Sequence, residues 1–170
     1  QASLRGQAVT GVNDLAELMS TVNRLVYEAS AENRYATFFY AQYEPQTRSL
    51  TYVNAGHNPP IILRCVGGEK EVLRLDAGGV VVGLLPNFPY QQASIQLERG
   101  DLLIGFTDGI SEAMNPSEEE WGEEKLIEAA KACDHLCAAE IIKRLISAAD
   151  QFAAGAKQHD DMTLVVVRIV

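Results

Sequence analysis

From residue 35 to residue 107 the chain strings β-rich runs end to end, each closed by turn-forming residues, with no helical period between them. That order excludes a doubly wound fold, and a phosphoacceptor receiver built on one, because there helices alternate with parallel strands. Residues 35–43, "YATFFYAQY", are rich in aromatic residues, "EPQTR" with Pro45 is a turn, and residues 49–54, "SLTYVN", complete a predicted hairpin. Gly56-His57-Asn58-Pro59-Pro60 breaks the next connection, residues 61–64 form a short strand, Gly67-Gly68 turns the chain, and residues 71–75 alternate into another strand. After the Gly-rich "AGGVVVGLLPNFP" come residues 90–97, a turn at Glu98-Arg99-Gly100, and residues 101–107. This last run is apolar on both faces, which predicts a strand central in its sheet.

Helices flank this block. Leu15, Leu18, Met19, Val22, Leu25 and Val26 fall on one helical face, with Asn13 as the predicted N-cap and Asp14 in the first turn. Two more helices are predicted over residues 123–133 and 138–152, the second with Ile141, Ile142, Leu145 and Ile146 on one face. Glu118-Glu119-Glu120 and Glu123-Glu124 read as a solvated helix start favoured by the helix dipole. Residues 162–169, dense in β-branched side chains, form the last strand. The sum is a layered α+β fold with mainly antiparallel sheets.

At 170 residues and 47% apolar content the chain has the size of one domain, residues 1–170, with enough apolar surface for a core. A net charge of −9 argues against nucleic acid or an anionic membrane as partner, since both select clustered Lys and Arg. No apolar run nears the roughly 20 residues that span a bilayer. Cys65, Cys133 and Cys137 do not form a disulfide framework, so the expected location is cytoplasmic. Cys133-Asp134-His135-Leu136-Cys137 lacks the second ligand pair of a structural zinc site. No P-loop, GxGxxG or GxSxG motif occurs.

Two acidic sites remain. Asp108 ends the run "LLIGFTDG", and Gly109 after it either admits a close neighbour or supplies a positive φ. Asp160-Asp161 precede the final strand in "KQHDDMTLVVVRIV". Neighbouring strands would bring the two sites together, where carboxylates repel unless protonated or bridged by a hard cation such as Mg²⁺ or Mn²⁺. A turn-forming Asx-Gly accounts for Asp108 equally well, and capping or a solvated loop accounts for Asp160-Asp161.

The blocks "YATFFYAQYEPQTRSLTYVNAGHNPPIILR", "ERGDLLIGFTDGISEAMNPSEEEWGEEKL" and "HDDMTLVVVRI", in this order, resemble the SpoIIE/RsbU-type branch of the metal-dependent (type 2C) serine/threonine protein phosphatases. The resemblance implies an α-β-β-α sandwich carrying two Mn²⁺ or Mg²⁺ ions at one end. It assigns Asp108 and Asp160 as metal ligands and catalytic residues. Asp161 and Gly109 would support them, and His57 and Asn58 would hold a structural turn. Such ions lower the pKa of a shared water and direct it at a phosphoserine or phosphothreonine. The implied substrate is a phosphorylated anti-sigma-factor antagonist of the STAS type, and the alternative is a non-catalytic module that binds such a partner. The family's earlier Asp-Val-Ser-Gly-Lys-Gly-like block has no counterpart here, and "QASLRGQAV" has helical composition without a start signal. The expectation is an N-terminally truncated domain with an incomplete, inactive site, weak metal occupancy, and an open sheet edge that favours a homodimer.

Overall fold

The computed structural model describes residues 14–30, 34–158 and 160–170. In chain order its elements are α1 (Leu15–Ala29), β1 (Phe38–Glu44), β2 (Ser49–Ala55), β3 (Ile61–Val66), β4 (Glu69–Arg74), β5 (Gly78–Gly79), β6 (Ala93–Gln96), β7 (Leu102–Phe106), α2 (Asp108–Ser111), α3 (Gly122–Cys133), α4 (Ala138–Ala153) and β8 (Leu164–Arg168). They fall into two compact units, residues 1–57 with 75–97, and residues 58–74 with 98–170. The fold is α+β with mainly antiparallel sheets, as the strand order predicts. No helix among the described residues is long and apolar enough to cross a membrane.

In the first unit β2 is the hub. It pairs antiparallel with β1 from Phe38↔Ala55 to Glu44↔Ser49, and antiparallel with β6 along its first half. Its end pairs in parallel with the two-residue β5, which the sequence pattern did not reveal. Only glycine allows that pairing, because a Cβ on Gly78 would lie 1.8 Å from the Asn54 carbonyl oxygen. Against this sheet α1 packs Leu15, Leu18 and Met19 onto Val53, Ala55, Val82 and Tyr90. Each such buried side chain contributes roughly 1.5–3 kcal/mol. The N-cap of α1 is Asp14, whose extended backbone lets its carboxylate accept from Glu17 N at 3.0 Å. The predicted cap, Asn13, lies outside the described residues, as does the run 1–9 read as helical. Asn23, fully buried in α1, donates to Leu85 O at 2.8 Å and accepts from Gly83 N at 2.9 Å and from the Tyr90 hydroxyl at 3.3 Å. One amide thus holds the Gly-rich loop to the helix.

The second unit carries an antiparallel sheet in the order β4-β3-β7-β8, so β7 is interior, as its two apolar faces predict. Ile61, Leu63, Leu102, Ile104 and Phe106 meet Leu126, Ile127 and Ala130 of α3 and Ile141, Leu145 and Ala149 of α4 in one buried cluster. Predicted strands trim at their ends: residues 90–97 contract to Ala93–Gln96 and 101–107 to Leu102–Phe106. Just before the second, the Asp101 carbonyl still accepts from Ile169 N at 2.9 Å, and its side chain is a buried carboxylate only 2% exposed. It accepts from Arg64 Nε at 3.1 Å, from Arg64 Nη2 at 2.6 Å and from Glu98 N at 2.8 Å. The hydrogen bond to Asp101 pushes the Arg64 pKa up, keeping the guanidinium charged.

Removing the Asp101 carboxylate takes away the buried partner of Arg64 and the acceptor of Glu98 N, and leaves the guanidinium with the exposed Glu98 carboxylate at 3.0 Å. Asp101→Ala is therefore expected to lower the unfolding free energy by about 1.5–3 kcal/mol, the range for losing hydrogen bonds to a charged group. Urea denaturation checks this, and the Asp101→Leu, Arg64→Met pair should recover part of the loss.

Candidate metal-binding active site

The second unit brings the two acidic sites to one edge. β7 and β8 pair antiparallel from Leu102↔Arg168 to Phe106↔Leu164, so the chain leaving β7 and the chain entering β8 run side by side. One further backbone bond, Thr107 N to Thr163 O at 3.1 Å, extends the ladder. At Asp108 the strand ends and the one-turn helix α2 begins, where the sequence predicts only a turn. An Asp in a first helical turn is electrostatically favoured and its backbone needs no left-handed angle.

Asp160 and Asp161 stand against this turn. A Cβ on Gly109 would lie 2.5 Å from Asp161 O, 2.8 Å from Asp161 C and 3.0 Å from Asp160 O. Gly109 is not among the positive-φ glycines, so of its two sequence readings close approach is the one observed. The Thr107 hydroxyl donates to Asp161 O at 2.9 Å and accepts from Thr163 N at 2.9 Å. Asp108 Oδ1 accepts from Gly109 N at 2.9 Å, and Asp160 Oδ1 accepts from Asp161 N at 2.7 Å. Each carboxylate is thereby oriented through one oxygen. Neither is in a salt bridge among the described residues, and Asp108, Asp160 and Asp161 are all exposed.

That donor set fits a hard divalent cation: two uncompensated carboxylates at one edge, each with a second oxygen free of protein bonds among the described residues. Mg²⁺ commonly takes one or two carboxylates and keeps water in its other positions. No cluster of three or more His, Cys, Asp or Glu side chains suited to a metal occurs among the described residues. In the Cys133 to Cys137 segment, Cys133 is buried in the core and Cys137 is the N-cap of α4. Beside Asp160 and Gly109 opens a cavity of about 310 Å³, walled in part by Glu112, Met114, Lys157 and Met162.

His57 and Asn58 divide between the units. In the first, His57 N donates to Asn54 Oδ1 at 2.8 Å, Asn54 Nδ2 donates to His57 O at 2.9 Å, and His57 Nδ1 lies 3.3 Å from the Thr37 hydroxyl. In the second, Asn58 Nδ2 donates to Ser111 Oγ at 3.4 Å, and Ser111 Oγ donates to Asp108 O at 3.4 Å. Asn58 therefore touches the helix that carries Asp108. Sequence reasoning passed over Asn54, Thr107 and Ser111. "TDG" as a motif drew attention to its aspartate, and the Thr beside it carried no separate signal.

The SpoIIE family model, Stage II sporulation protein E, matches residues 1–170. Protein IcfG of Synechocystis sp. (strain ATCC 27184 / PCC 6803 / Kazusa) is 32% identical over 133 residues, which is 78% of this chain and 20% of IcfG. Phosphoserine phosphatase RsbU of Bacillus subtilis (strain 168) is 30% identical over 163 residues, 94% of this chain and 46% of RsbU. The chain thus spans less than half the length of either relative. Among solved structures, the PP2C phosphatase domain of SpoIIE from Bacillus subtilis with a fragment of its regulatory domain superimposes with a TM-score of 0.76 at 26% identity, over 99% of this chain and 48% of that one. The SpoIIE phosphatase domain from crystals presoaked in Mn gives 0.63 at 24% identity, over 99% and 72%.

The backbone contact at Gly109 predicts a sharp contrast between two glycines. Gly109→Ala is expected to cost about 1–3 kcal/mol, because its methyl meets fixed backbone. Gly105→Ala, whose nearest neighbour would be Val165 Cβ at 3.9 Å, is expected to stay within about 0.5 kcal/mol of wild type. Urea denaturation of both variants measures the difference.

Proposed function

The chain belongs to the SpoIIE family of PP2C-type protein phosphatase domains, and on that premise we propose that it hydrolyses phosphoserine or phosphothreonine with divalent metal held by Asp108 and Asp160. The observation that carries this reading is the contact of Gly109 with the Asp160-Asp161 backbone, which sets both aspartates at one edge. One family match running through both units supports reading residues 1–170 as a single phosphatase domain. The relative from crystals presoaked in Mn supports use of a divalent metal, and the family resemblance favours two Mn²⁺ or Mg²⁺ ions in the intact site.

Bound divalent ions would lower the pKa of a water and offset charge on the phosphoryl group. The chain's own part is to hold the donors still. Gly109 N and Asp161 N each fix one carboxylate oxygen, so the second oxygen of Asp108 and of Asp160 is presented without rotamer searching. Asp161 acts through its backbone, as amide donor to Asp160 and carbonyl acceptor from Thr107. Asn58 steadies α2 through Ser111, and the His57 backbone is clamped by Asn54. In the net reaction water oxygen bonds to phosphorus, the P–O bond to the side chain breaks, and the hydroxyl protein and inorganic phosphate are released. The cavity beside Asp160 has room for residues flanking the phosphorylated one.

A phosphorylated STAS-type anti-sigma-factor antagonist is the substrate this reading favours, supported by the likeness to RsbU and by the net charge, which suits a protein rather than nucleic acid. Three free cysteines support a cytoplasmic location. The second reading is a partner-binding module without catalysis. It is favoured because no group of three or more His, Cys, Asp or Glu side chains placed to hold a metal ion occurs among the described residues, which would leave this chain alone inactive.

Mn²⁺-dependent hydrolysis of a small aryl phosphate separates the readings, measured for this chain, the full-length gene product and its Asp108→Asn variant. Turnover by the full-length protein, lost by at least about a hundredfold on Asp108→Asn, is the expected result. Silence at saturating Mn²⁺ would leave the binding module. Phosphate release from a phosphorylated STAS protein tests the substrate. Light scattering tests self-association along β8, which pairs only with β7 among the described residues.

A further inference from the structure

We infer that Thr107 is a positioning residue for the metal site, its hydroxyl setting the Asp160-Asp161 segment against Asp108 by bonding the Asp161 carbonyl and the Thr163 amide that follows it. This rests on the phosphatase reading above.

Thr107 stands at the N-cap of α2, where a threonine hydroxyl ordinarily accepts from its own helix's amides. Here it makes no such bond. The side chain turns across to the opposite segment, accepting from Thr163 N and donating to Asp161 O, both at 2.9 Å. These two groups are the ones that strand pairing abandons. The ladder closes with Phe106↔Leu164 and the single bond from Thr107 N to Thr163 O, after which α2 takes the first chain away. A hydroxyl, with one donor and acceptor lone pairs, is the smallest side-chain group that satisfies an N–H and a C=O together. The Asp161 carbonyl oxygen is also the atom that a Cβ on Gly109 would meet first, at 2.5 Å. Thr107 and Gly109 therefore act on the same carbonyl, the hydroxyl drawing it in and the missing Cβ making room. Asp160 Oδ1 in turn is held by the amide of Asp161, so a shift of this peptide moves the ligand.

Valine matches threonine in shape and removes the hydroxyl, whereas serine keeps the hydroxyl and removes the methyl. The test compares wild-type, Thr107→Val and Thr107→Ser full-length protein by Mn²⁺ calorimetry, by amide hydrogen exchange at Thr163, and by Mn²⁺ dependence of hydrolysis. Thr107→Val is expected to weaken Mn²⁺ binding about 10–100-fold, the usual effect of losing a group that orients a metal ligand. Thr163 exchange should quicken, and turnover should return at high Mn²⁺. Thr107→Ser should bind Mn²⁺ nearly as wild type does. Equal Mn²⁺ affinity in wild type and Thr107→Val, with or without a lower melting temperature, overturns the inference alone. So does a Thr107→Ser variant as weak as Thr107→Val. A wild-type protein that binds no Mn²⁺ overturns the phosphatase reading and this inference with it.

Discussion

The antiparallel pairing of β7 with β8 is the constraint on which the site depends. Its register puts Asp108 two residues past Phe106 and Asp160 four residues ahead of Leu164, so two segments far apart in sequence meet at one edge. Side chains alternate along a strand, and a slip of one residue would turn each apolar face toward the wrong layer. Leu164 and Val166 pack against the cluster that α3 and α4 bury, while Val165 and Val167 are exposed. That asymmetry of burial holds the register, and the register holds the aspartates.

Where ladders stop, single polar side chains take over the backbone groups left behind. Asn23 serves the loop around Gly83 and Leu85, Asn54 serves the turn at His57 and the Leu75 carbonyl, and Asp101 serves the turn at Glu98. All three are buried, and no buried side-chain nitrogen or oxygen among the described residues lacks a partner. A satisfied buried amide or carboxylate permits one geometry and penalises others by the cost of an unmade bond. Thr107, only half-buried, takes over backbone groups in the same way, with its bonds beside the candidate ligands.

Elements with strong local signals were legible in the sequence. The helices around Leu15–Ala29 and Ala138–Ala153, the β1–β2 hairpin and the interior position of β7 follow from periodicity, turn residues and apolar runs. Elements whose cause is non-local were not. β5 is two glycines admitted by close approach to Asn54, and α2 is one turn of helix. The cap of α1 sits at Asp14 because a carboxylate in extended conformation reaches the Glu17 amide, and composition cannot distinguish that from a cap one residue earlier. Membership of the SpoIIE family, read first from three ordered blocks, is shown by the match across the chain.

The sequence by itself determined the α+β class, the family and the acidic residues worth naming, because periodicity, turn chemistry and motif order are properties of neighbouring residues. Only the tertiary structure decided that Gly109 is needed for a close approach and not for a positive φ. It also decided that Thr107 reaches across to Asp161 and that Asn58 touches α2 through Ser111. Each of these depends on an atom tens of residues away in the chain, and no local pattern records where such an atom comes to rest.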